Sequence, residues 1–147
     1  MTPIQPDTSL SKLLAGGPAL IGMVHVGALP GTPHHNAPVE HLASQAADEA
    51  RTLIDSGFDA VIIENMHDRP YVHGDRLGPG IVAGMTRVGT EVASITTAPI
   101  GVQILSGGNP HALAVALAVV GSFIRCENFV YAHVADEGLL PEAEAGV

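Results

Sequence analysis

Short unbroken apolar runs alternate along the chain with longer stretches in which apolar residues recur every three or four positions. Runs of the first kind, rich in β-branched residues, read as strands buried on both faces; the second kind reads as amphipathic helix. Ala19–Val26 predicts the first strand. The loop Gly27–Asn36 follows, dense in Gly and Pro and longer than an ordinary strand-to-helix connection. From Val39 to Ser56, Leu42, Ala46, Ala50, Leu53 and Ile54 mark one helical face, acidic residues fill the other, and Gly57 ends it. Ala60–Ile63 predicts the second strand and runs directly into Glu64, Asn65, Met66, His67, Asp68 and Arg69, before Pro70 blocks continuation.

A further loop leads to Pro79, placed to open a helix with Ile81, Val82, Met85, Val88 and Val92 on one side, although Gly80, Gly84 and Gly89 weaken it. Ile100–Leu105 predicts the third strand. In the next turn Asn109 reads as N-cap and Pro110 as the first helical residue, opening a largely covered helix over His111–Val120. Ser122–Cys126 predicts the fourth strand. Glu127–Val147 reads as a loop and an acidic tail, and residues 1–17 as a flexible lead-in with a short helical turn at Leu10–Leu14. Strand–helix alternation at this spacing argues for right-handed βαβ units, hence an α/β fold on a parallel sheet filling residues 18–147.

Composition narrows the function more than the fold. At 46% hydrophobic and 14% charged residues the chain is globular, and with 3% aromatics its core must be built from Ala, Val, Ile and Leu. The formal charge of −9 argues against nucleic acid and anionic membrane surfaces, which are bound through Lys and Arg. A phosphate-bearing ligand stays compatible, because backbone N–H groups bind phosphate without net positive charge. Cys126 is the one cysteine and reads as a core residue; a lone cysteine excludes an internal disulfide and fits a reducing, cytoplasmic setting. The N-terminus does not read as a signal peptide, and Ala112–Ile124 is too short to span a bilayer, so any membrane link is expected to be peripheral.

The candidate chemistry gathers at the carboxyl ends of the predicted strands, where α/β sheets place ligand sites. His25 ends the first strand; Glu64, Asn65 and Asp68 follow the second; Gln103 lies on the third; Arg125, Glu127 and Asn128 follow the fourth. Parallel strands bring those ends to one face. His25, Glu64 and Asp68 are the candidate catalytic groups. Asn65, Gln103, Asn109, Arg125 and Glu127 are the candidate ligand-binding groups. A buried carboxylate such as Glu64 needs a partner; a structural ion pair with Arg125 is the plain alternative, as a hydrogen-bonded core histidine is for His25. Glu64, Asp68 and Glu127 offer oxygens to a divalent cation, although their spacing matches no metal motif. Gly107-Gly108-Asn109 offers a turn for a phosphate, which an ordinary helix cap explains equally well. His34, His35, His41, His73 and His111 read as surface or loop residues.

Several blocks together carry a family resemblance. Gly22-Met23-Val24-His25 with Leu29-Pro30-Gly31-Thr32-Pro33, Glu64 through Pro70, Gly101-Val102-Gln103-Ile104-Leu105, Phe123-Ile124-Arg125 and Ala132 through Leu139 resemble the BtpA/SgcQ family, in order over roughly residues 19–146. The resemblance implies a TIM-barrel-like fold of the ribulose-phosphate-binding type. It also implies an association with membrane-complex biogenesis, since a cyanobacterial member is associated with photosystem I assembly. Gly80 departs from an acidic residue common in the family, and Ser106-Gly107-Gly108 from a more polar turn in one branch. Family members run to about a full barrel, whereas here the pattern ends after the fourth strand, as expected of a truncated product. A half barrel leaves open edges and a bare inner face, so self-association or a complementing half is expected. Two functions follow: a biogenesis factor with a small anionic-ligand site, or an enzyme or enzyme remnant acting on a phosphorylated sugar or nucleoside-like molecule.

Overall fold

The computed structural model describes residues 13–140. Strand β1 (Ile21–His25) leads into α1 (Val39–Asp55), β2 (Ala60–Glu64), α2 (Pro79–Ile95), β3 (Ile100–Gln103), α3 (Asn109–Ala118) and β4 (Phe123–Ile124). A 3₁₀ turn, Gly74–Arg76, lies in the loop before α2. The strands line up in chain order as one parallel sheet, β1-β2-β3-β4. The strand–helix alternation expected from apolar spacing is thus the architecture found. Residues 13–15 are helical; the rest of the turn expected at Leu10–Leu14, and the acidic tail after Leu140, lie outside the described residues.

Side chains alternate between the faces of a strand, and the core shows which face the helices cover. Val24, Val26, Val61, Ile63, Ile100, Val102 and Ile104 join Leu42, Ala46 and Ala50 of α1, Met85, Val88 and Val92 of α2, and Ala112, Val115 and Ala116 of α3 in one cluster. The three helices therefore lie on the same side of the sheet, α1 against α2 and α2 against α3. A doubly wound sheet would instead reverse its strand order and carry helices on both faces. By propensity Gly84 and Gly89 disfavour a helix, yet α2 is continuous over 17 residues. A Cβ at Gly84 would lie 2.9 Å from the Leu29 side chain, and one at Gly89 3.0 Å from Val119 and 3.2 Å from Ile63. Close approach to sheet and neighbouring helix outweighs the propensity.

The structure departs from the pattern reading at five places. Strand β3 stops at Gln103, and β4 covers two residues where Ser122–Cys126 was expected. As the last strand of the sheet, β4 has a ladder partner on one side only; after Ile124 the Arg125 N–H still donates to Val102 O at 3.0 Å. Cys126 is exposed, not a core residue. Asn109 is not the N-cap: Gly108 holds that position without a side-chain bond, because the Asn109 amide is engaged with Glu127. Finally, the segment expected to be a loop carries an antiparallel hairpin, β5 (His133–Ala135) and β6 (Gly138–Leu140). Three residues per strand are too few for alternation to be visible. Among the described residues, no helix is long and apolar enough to cross a membrane.

Candidate functional site

Strand register places three of the sequence candidates in one row. His25 is the Cα partner of Glu64, and Glu64 of Gln103. Val24, Ile63 and Val102, one position earlier on each strand, point into the helix-covered core; His25, Glu64 and Gln103 therefore project from the opposite face. His25 Nε2 stands 3.3 Å from Glu64 Oε2. Glu64 is 5% exposed and Gln103 3% exposed, while His25 is open to solvent. The Gln103 carbonyl oxygen, Oε1, has no hydrogen-bond partner among the described residues. Arg125 sits one position beyond Ile124, the partner of Val102, and so extends the row past Gln103. It is exposed and forms no salt bridge among the described residues. The Glu64–Arg125 ion pair considered from sequence is replaced by the His25–Glu64 pair.

Asn65 and Asp68 serve differently. Asn65 Oδ1 accepts the Leu105 N–H at 2.8 Å, and its Nδ2 donates to Asp68 Oδ2 at 2.9 Å. Asp68 Oδ1 accepts the Leu29 N–H at 2.7 Å. Two side chains thus tie the loop after β1, the loop after β2 and the end of β3 into one buried knot. Burial raises the Asp68 carboxyl above its ordinary value; the Leu29 N–H, the Asn65 amide and, more weakly, His67 and His35 oppose the rise. With both carboxylate oxygens engaged, Asp68 fastens these loops together.

Glu127 and Asn109 form a second fastener. Glu127 Oε2 accepts the Gly107 N–H at 2.6 Å, while Asn109 pairs with the Glu127 backbone through both of its amide atoms. The Glu127 carboxyl is also raised, chiefly by burial and further by Glu137 and Glu64; the Gly107 N–H and His133 pull the other way. Its own carboxylate already occupies the Gly107 N–H, so the glycine turn is engaged within the chain. The loop before α2 closes on the same place: the Gly74 N–H donates to Ser106 O at 2.8 Å, and a Cβ at Gly74 would collide with the Gly107 carbonyl.

Sequence reasoning passed over several residues near this mouth. Ser106 is 1% exposed, and its hydroxyl has no partner among the described residues. Tyr71 donates its hydroxyl to Met66 O at 2.6 Å, and burial raises its phenol, with Arg69 opposing and Glu64 adding to the rise. The hairpin is anchored where the His73 ring nitrogen Nε2 meets Glu137 O at 3.1 Å. The Gly74 contact to Gly107 is a close backbone approach that glycine content alone does not single out. The proposed cation trio of Glu64, Asp68 and Glu127 does not assemble: among the described residues, no group of three or more His, Cys, Asp or Glu is arranged to hold a metal ion.

A family model described as the BtpA family matches residues 17–146. The chain belongs to the BtpA family. It is 42% identical over 144 residues to an uncharacterised mitochondrial protein of Caenorhabditis elegans, covering 94% of this chain and 52% of that one. An uncharacterised Archaeoglobus fulgidus protein is 35% identical over 127 residues, 86% of this chain and 50% of its own. The photosystem I biogenesis protein BtpA of Synechocystis is 31% identical over 121 residues, 82% and 42% respectively. This BtpA-family chain spans about half the length of these curated relatives. No solved structure matches it.

Proposed function

We propose that this BtpA-family chain is one half of a TIM-barrel-like fold whose strand ends hold part of a site for a small hydroxyl-bearing anion, such as a sugar phosphate. Sequential parallel strands, helices on one face only and a match to half the length of the relatives support the half-barrel reading. The observation that carries the ligand reading is the row His25–Glu64–Gln103, in which the buried amide oxygen of Gln103 has no partner among the described residues. A buried acceptor left unsatisfied costs about 1–3 kcal/mol, a cost that ligand hydroxyl donors would relieve. Glu64 accepts hydroxyl donors in the same way, and Arg125 brings the positive charge for the anionic group.

Thermal-shift titration of the chain against pentose and hexose phosphates tests this reading. Stabilisation by at least one of them, lost in Glu64→Gln and Gln103→Leu, is expected. Absence of any shift across the panel, or shifts that survive both substitutions, overturns it.

The His25–Glu64 contact favours a second reading, an enzyme in which this pair exchanges a proton with the same class of phosphorylated substrate. Under it, His25→Ala abolishes turnover while ligand-induced stabilisation remains. The name of the Synechocystis relative supports a part in membrane-complex biogenesis, with contact at the periphery of such a complex. For either role a complementing half or a second copy completes the fold. The β4 edge has a strand neighbour on one side only, and Leu113, Leu117 and Val120 are 43%, 79% and 89% exposed. Sedimentation velocity is expected to show concentration-dependent association; a monomer that melts cooperatively overturns that expectation.

A further inference from the structure

We propose that the cavity between the β1–α1 and β2–α2 loops is a separate binding site, for a small molecule with a flat apolar body and a single anionic group. The cavity measures about 560 Å³, within the range of small-molecule sites. Pro30 and Pro33 line one side, Pro70 another, and Leu77, Pro79 and Ile81 the third. The polar groups in its wall are already committed. Thr32 donates its hydroxyl to Leu29 O at 2.7 Å, and Tyr71 donates to Met66 O. Asn65 and Asp68 on its floor bond each other and the Leu105 and Leu29 N–H groups. A ligand body therefore meets a wall built largely of Pro, Leu and Ile, whose polar side chains mostly bond within the chain.

Arg76 is the exception. It lines the cavity and forms no salt bridge with any described carboxylate, so its guanidinium is free to pair with a carboxylate or phosphate. Beside it, α2 begins with no side-chain cap and no acidic residue in its first turn, so the N-terminal end of the helix dipole adds to the attraction for an anion. Of the five polar or charged side chains, four hold partners within the chain, and Arg76 alone has none among the described residues. That division selects an amphiphilic monoanion over a neutral polyol, and separates this site from the row on β1–β3.

The test titrates the chain with naphthoate, read by calorimetry and by amide chemical shifts of Gly78, Gly80 and Ile81. Saturable one-site binding is expected. It weakens at least about tenfold in Arg76→Gln and for the neutral isostere naphthamide, and it is unchanged in Gln103→Leu, which disables the β1–β3 row. Gly80→Asp supplies a second check. Its carboxylate favours the first turn of α2 but opposes the ligand anion, so binding falls while the melting temperature holds; Pro30 O, 3.1 Å from the new Cβ, must give slightly. Absence of saturable binding, naphthamide binding as tightly as naphthoate, or naphthoate binding unaltered by Arg76→Gln overturns the proposal. Loss of binding in Gln103→Leu would merge the cavity with the strand-end row and also overturn it as a separate site.

Discussion

Glu64 and Asn65 are neighbours in sequence and both are buried, yet they belong to different kinds of polar structure. Asn65 uses its amide oxygen and nitrogen on Leu105 and Asp68, and Asp68 holds the Leu29 N–H in turn. Glu64 meets a solvent-exposed histidine at 3.3 Å, beside a glutamine whose amide oxygen has no partner among the described residues. A satisfied buried network rigidifies the loops that carry it, whereas an unsatisfied one reduces stability and keeps its bonding capacity for another molecule. One six-residue segment supplies both: Asn65 and Asp68 hold the mouth, and Glu64 remains available within it.

The largest effect should come from breaking the satisfied side. Asn65→Ala orphans the Leu105 N–H and one Asp68 oxygen together, and is expected to cost about 3 kcal/mol or more, lowering Tm by roughly 10 °C in a thermal melt. A loss below about 1 kcal/mol would show that the knot is not what organises the mouth. Gly74→Ala drives a Cβ into the Gly107 carbonyl, and overpacking against backbone is expected to cost about 2 kcal/mol by chemical denaturation. Gln103→Leu should go the other way, raising stability by about 1 kcal/mol as the unsatisfied amide disappears, while sugar-phosphate stabilisation is lost. If Gln103→Leu is as destabilising as Asn65→Ala, the contrast between the two regions fails.

The smallest effect concerns pH. Burial raises the Asp68 and Glu127 carboxyls, so between the ordinary and elevated values the folded chain binds more protons than the unfolded one. Their contribution to stability is complete below the ordinary carboxylate value and declines as pH rises through the elevated one. Glu127→Gln keeps an acceptor for the Gly107 N–H and removes one of the two titrations. It is expected to flatten the decline in Tm with pH above 4.5; an unchanged slope would place the loss at Asp68 alone.

Much of the fold was legible because periodicity carries it. The α1 face at Leu42, Ala46 and Ala50, the fully buried β2, and the Pro79 start of α2 follow from apolar spacing and proline geometry. Spacing also put His25, Glu64 and Gln103 at strand ends, since a parallel sheet leaves those ends on one side. What spacing could not supply was bonding. Asn109 has the residue type and position of a cap, but a partner 18 residues away claims its amide. Asp68 has the residue type of an acid–base group, and a backbone N–H 39 residues earlier occupies one of its oxygens.

The sequence by itself determined the alternation of four strands with three helices, the buried face of α1 and the family, because these depend on residue type at short range. Tertiary structure alone decided which polar groups are satisfied. Hydrogen-bond partners meet only when distant loops converge, and whether a buried carboxylate or amide fastens the chain or awaits a ligand is set by that convergence.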